Sequence, residues 1–238
     1  MIRVAALVLL GFSGAAAQAG EIASTANSSL DPNFDIVRAA VSAKEGQLTF
    51  ALAVSGQAGA TRPAATGAMA GSAVHAYVWP TSLDSAAVGF PGGEGILALA
   101  VTAHPDFDDT PNYDENGDGK SDNDGADWHA HWVVLAKDEA CAAGLKVKDV
   151  APGSDAKLPP TAPGVPLFLD SPDVRPALGG NSLSLTVPLP PGGEAMHYDG
   201  VAAGLRVSAD MKAPLLCVTD VFKIASGDLT LPGTVNAE

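Results

Sequence analysis

The chain of 238 residues sets 27 acidic side chains against 13 basic ones, a formal charge of −14, which excludes a protein that grips nucleic acid or anionic lipid. Apolar residues make up 47% and charged residues 17% of the chain, so it can bury a core and is not disordered overall. With 26 Gly and 18 Pro interrupting it, a helix bundle is excluded and many short strands joined by turns are expected.

The first nineteen residues carry Arg3, an apolar run over 4–10 and small residues ending Ala17-Gln18-Ala19, the order of a cleavable secretory signal. That run is too short to span a bilayer of ~30 Å, so no membrane insertion is expected. The mature protein is expected to be one domain, 20–238, periplasmic or secreted. In such a compartment Cys141 and Cys217, the only two cysteines, form the only intramolecular disulfide available.

Strand patterns follow in order over 35–42, 47–55, 73–79, 96–104, 128–135, 145–150, 182–189, 201–209 and 215–224. The first two flank residues 43–46, a connection of hairpin length. In the second, Leu48, Phe50, Leu52 and Val54 alternate with Thr49, Ala51 and Ala53, giving one core face and one small face. No stretch has the period of a long amphipathic helix. The expected fold is all-β, a two-layer antiparallel β-sandwich with long loops. Of these loops, Ala/Gly-rich 56–71 is expected to be a mobile surface loop. Proline-rich 152–176 should be an extended connection over the sheet or an Ω-like loop.

An acidic loop, 105–127, separates the fourth strand from the fifth. It holds Asp106, Asp108, Asp109, Asp114, Glu115, Asp118, Asp122, Asp124 and Asp127 against the single Lys120. Within it, Asp114, Asn116, Asp118, Asp122 and Asp124 place oxygen ligands at alternate positions around Gly119, as calcium requires, with the Lys120 carbonyl as a further ligand. The segment resembles the calcium loops of EF-hands, dockerins and thrombospondin type 3 repeats. It departs from the EF-hand where Gly125 stands in place of the twelfth-position Glu and in having no flanking helices.

The fifth strand opens Asp127-Trp128-His129-Ala130-His131-Trp132-Val133, with two of the five His and two of the three Trp in the chain. Alternation puts Asp127, His129, His131 and Val133 on one face and Trp128, Ala130, Trp132 and Val134 on the other. Antiparallel pairing across the loop brings His104 beside His129. Three imidazoles suit zinc or copper, with Asp127 or water completing the set and His75, on a third strand, as a substitute ligand.

Trp128-His129-Ala130-His131-Trp132 also resembles the zinc strand of α-carbonic anhydrases, which implies zinc at the two His. That family's third zinc His follows soon after, whereas here none occurs before His197. The stretch 114–135 as a whole is similar to uncharacterised exported bacterial proteins, which implies no activity. There is no nucleophile elbow and no phosphate-binding glycine loop. The reading is thus a non-enzymatic exported protein whose partners are metal ions: calcium in the acidic loop, zinc or copper at the His cluster. The alternatives are a zinc-dependent enzyme with a water on the metal, or a carbohydrate- or partner-binding sandwich with Tyr77, Trp79 and Trp128 as a stacking platform.

Overall fold

A computed structural model describes residues 20–237 apart from 116, 155, 163 and 164; the secretory signal read over 1–19 lies outside the described residues. Nine strands carry the architecture: β1 (Ile36–Lys44), β2 (Gln47–Val54), β3 (Ala73–Pro80), β4 (Ile96–Ala103), β5 (His129–Lys137), β6 (Leu145–Val147), β7 (Ser182–Pro188), β8 (Val201–Val207) and β9 (Leu216–Ile224). Each lies on one of the nine patterned segments. The described residues contain no α-helix.

The sandwich expectation is corrected on one of its two sides, where the sheet closes into a barrel. β4 pairs with β3 and β5, β3 with β8, β8 with β9, β9 with β6 and β6 with β5, all antiparallel. Closure removes the free edges that an open layer would leave. The other layer remains an open antiparallel sheet, ordered Ile22–Ala23, β1, β2, β7, Ala177–Gly179, with Asn236–Ala237 added in parallel to β1.

Alternation along the barrel strands creates two cores. β3 turns Val74, Ala76 and Val78 into the barrel lumen, where they meet Ala100, Val133, Ala203 and Val218. Its Tyr77 and Trp79 face the sheet among Ile36, Phe50, Leu99, Trp132 and Leu183. Phe50 meets Trp79 and Trp132 edge-on, the geometry that aromatic quadrupoles favour. Tyr77 and Trp79 are fully buried and Trp128 is 6% exposed, so the stacking platform is corrected to a packed interlayer core.

Two loops are held by this core. Trp128 Nε1 donates to the Gly59 carbonyl and the Gly59 amide donates to Tyr77 Oη, while the Thr66 and Gly67 amides donate to Asp106. The 56–71 segment is therefore fastened at both its ends, a correction to the mobile loop expected from its composition. In the 152–176 connection, Phe168 joins the interlayer core and Leu169 the lumen. Leu169–Asp170 pairs antiparallel with Trp132 and Val133 of β5, on the edge that β6 takes up at Leu135–Lys137. Cys141, in the turn between β5 and β6, is disulfide-bonded to Cys217 on β9.

Candidate metal centre

At one end of the barrel the β4–β5 register sets Ala100 opposite His131 and Thr102 opposite His129. His104, two residues beyond Thr102, continues the same face. The three imidazoles then close on each other, His129 standing edge-on to both His104 and His131. Each is 1% exposed.

The fourth member comes from the acidic loop. After β4 the chain turns at residues 105–108, and Phe107 stacks on the His104 ring at 4.1 Å. This turn delivers the Asp109 carboxylate, 5% exposed, into the centre of the cluster. Asp109 Oδ1 lies 3.4 Å from His104 Nε2, 3.5 Å from His129 Nε2 and 3.4 Å from His131 Nε2. The ligand atoms of all four residues fall within 4.8 Å of one another.

Hydrogen bonding at the far side of two rings fixes what faces inward. His104 Nδ1 donates to the Phe107 carbonyl and His129 Nδ1 to the Asp127 carbonyl, both at 2.9 Å. A neutral imidazole with its proton on Nδ1 presents a lone pair at Nε2, the tautomer of a metal ligand whose second nitrogen is oriented by a carbonyl. His104 Nε2, His131 Nε2 and Asp109 Oδ1 have no hydrogen-bond partner in the structure. Buried and facing one another, these atoms form a cluster that could hold a cation.

Distance separates the two cations available, a proton and a metal. A protonated imidazole bonded to a carboxylate sits at about 2.7–2.9 Å, shorter than all three contacts. Ligands about 2.1 Å from a tetrahedral ion stand about 3.4 Å apart, which is the spacing of Asp109 from each His. Burial opposes the charge on Asp109, yet His131 and His104 hold its carboxyl well below the ordinary range. Burial likewise opposes protonation of His129, which Asp109 nevertheless raises, while burial pushes His131 down to about 3.

Two ligands named from the sequence are placed elsewhere. His75 lies on the sheet-facing side of β3, edge-on to Phe34 and Phe222, because its neighbours Val74 and Ala76 take the lumen face. Asp127 precedes β5 and closes a single 3-10 turn, Asp124–Ala126. Off the strand, its carboxylate turns out to Arg62 at 2.9 Å and only its carbonyl serves the site.

The residues of the calcium set lie in the turn between Asp114 and Asp124. Asn116 lies outside the described residues. Asp114 accepts the amides of Gly117, Asp118 and Gly119, and Asp118 accepts those of Lys120 and the Asn123 side chain. These carboxylates thus close the turn on its own N–H groups, while Lys120 and Asp122 are exposed and Asp124 is buried, accepting the Glu115 amide.

Beneath the turn, Glu115 Oε1 accepts from the hydroxyls of Thr110, next to Asp109, and Ser171. Asp108 accepts the Thr110 and Asp124 amides. Sequence reading gave Asp109 and Gly125 no role. A Cβ on Gly125 would lie 1.8 Å from the Phe107 carbonyl and 2.7 Å from that of His104, so only glycine lets the loop reach the strand end there. The signal open to sequence reading was an acid five residues beyond a strand-end His, hidden among eight other acids.

Glu115 yields a pH prediction. Burial pushes its carboxyl up to about 7 from 4.5. A raised folded-state value stabilises below the unfolded value and loses that contribution as pH climbs through about 7. Glu115→Gln should therefore gain on the wild type by roughly 5–10 °C in melting temperature between pH 5 and pH 8. Thermal melts at the two pH values check it, and a constant difference would contradict the assignment.

No protein family, curated protein or solved structure matches this chain. What the fold and site define is an all-β chain with a buried His104, Asp109, His129 and His131 cluster able to hold a metal ion. Its disulfide points to an extracytoplasmic compartment, and no helix among the described residues is long and apolar enough to cross a membrane.

Proposed function

We propose that this is a periplasmic or secreted metal-binding protein that holds one divalent transition ion, zinc before copper, without catalysing a reaction. The observation that carries the reading is the convergence of three imidazole nitrogens and one carboxylate oxygen with two of the imidazole protons committed to backbone carbonyls. Four protein ligands fill a tetrahedral ion, the mark of a structural zinc site, whereas a catalytic site keeps one position for water. Three neutral imidazoles and a carboxylate favour zinc or copper over calcium, which takes six to eight oxygens.

In this reading the acidic loop serves the buried centre. It supplies Asp109, and its remaining negative charge raises the local cation concentration at the barrel end. Calcium held by Asp114, Asp118 and Asp122 would be an addition to this site.

Cobalt(II) exchanged for the native ion tests the closed geometry. The expected result is the intense visible absorption of a four-coordinate ion, unchanged by azide. A weak spectrum, or one that azide shifts, would place an open position on the metal and favour the zinc-enzyme alternative.

A further inference from the structure

The packed lumen of the barrel that carries the metal centre keeps a small cavity. Along its axis the wall is narrow in side-chain volume where Ala76, Ala100 and Ala203 stand on the adjacent strands β3, β4 and β8, Ala76 directly opposite Ala203. These alanines leave a cavity of about 70 Å³. One end of the lining includes Val221 and Leu229, and the other reaches Thr102, His131 and Asp109. The walls between are aliphatic.

Apart from the atoms that face the ion position, two polar atoms at the metal end of this lumen have no partner among the described residues. Thr102 Oγ1 and His131 Nδ1 are both buried and neither makes a hydrogen bond in the structure, although Thr102 is 8% and His131 1% exposed. When His131 Nε2 faces a metal ion, the neutral ring carries its proton on Nδ1. The lumen floor is then an N–H donor beside a hydroxyl. Leaving such groups unsatisfied costs about 1–3 kcal/mol each.

Water answers only part of this. A buried water occupies ~30 Å³ and needs two to four polar partners, so the floor satisfies one water while the aliphatic remainder of the lumen satisfies none. A charged carboxylate is disfavoured by burial and by Asp109 alongside. An amphiphile with one acceptor atom and a short apolar body meets both ends of the space at once.

We infer that the barrel lumen binds a small neutral molecule of this class, a short-chain ketone, aldehyde or alcohol, whose oxygen accepts from His131 Nδ1–H and pairs with Thr102 Oγ1 while its alkyl part lies among Ala76, Ala100 and Ala203. This rests on the metal reading, because the ion at Nε2 is what fixes the donor at Nδ1. The ligand sits behind an imidazole of the metal set rather than on the ion, so occupancy tunes His131 as a ligand.

The test is a titration of the full zinc-loaded chain with 2-butanone, followed through the methyl resonances of Ala76, Ala100 and Ala203, with zinc content measured on the same sample. Saturable shifts with a roughly millimolar Kd are expected, weakened about fivefold or more by Thr102→Val with zinc content unchanged. Xenon, an apolar probe with no acceptor, should bind the wild type and Thr102→Val alike. A sample that keeps its zinc but shows no saturable shift at these alanines, or equal 2-butanone affinity in Thr102→Val, overturns the lumen inference alone and marks any residual effect as an adventitious additive only. Loss of zinc from the wild type overturns the metal reading and, with it, the donor at His131.

Discussion

Removing the metal from the loaded protein lowers its melting temperature by roughly 8–16 °C. An ion that binds only the folded chain, present at about a thousand times its Kd, contributes about 4 kcal/mol, and a domain of this size moves about 2–4 °C per kcal/mol. The four proposed ligands belong to β5, the end of β4 and the loop after it, so a bound ion would tie the acidic loop to the barrel wall. Without it, inward-facing acceptors of His104, His131 and Asp109 repel unless a proton takes the ion's place. Acid should act like a chelator, since metal binding releases the protons that imidazoles otherwise hold. The stabilisation by zinc should therefore shrink as falling pH protonates His129, whose value Asp109 holds above the ordinary imidazole range. Thermal melts with chelator, and again after zinc is restored, check this; superimposable curves would count against the site.

Replacing Cys141 and Cys217 together by Ser costs about 4–5 kcal/mol on the chain-entropy model for the 76-residue separation. For a domain of this size that is a fall in melting temperature of about 8–20 °C. The fold gives the bridge a definite task. β6 has three residues and is the shortest stave of the barrel, joining β5 to β9 through Leu135, Ala136 and Lys137 on one side and Leu216 and Cys217 on the other. The bridge fastens the turn before β6 to β9 beside those few pairs. The seam at β6 should open first in the double variant, read as faster amide exchange at 145–147 and 216–217 than in the remaining strands. Zinc content should be retained, because the ligands lie at the opposite end of β5. An unchanged midpoint would remove the bridge from the stability account.

Much of this was legible because it is local. Alternation alone assigned His129 and His131 to one face and Trp128 and Trp132 to the other, and hairpin pairing brought His104 alongside. All nine strand patterns lie under observed strands. Barrel closure was not legible: whether β6 bridges β5 to β9 depends on partners distant in sequence, and three residues carry no period to read. The fourth ligand was hidden for a related reason. Asp109 is one of nine acids in a loop without periodicity, and its position is set by the Phe107 ring on His104 and by the close approach at Gly125. Asp127 misled because alternation was extended two residues past the start of the strand, into a turn that directs its side chain to Arg62.

The central claim is that His104, Asp109, His129 and His131 bind one transition ion. Elemental analysis of the protein purified without an affinity tag, beside the His129→Ala/His131→Ala variant, tests it most directly. The account predicts one equivalent of zinc or copper per wild-type chain and none in the variant, with any calcium content equal in both. Wild-type protein that retains no transition metal after exposure to zinc and copper, or a variant that retains as much as the wild type, would contradict it.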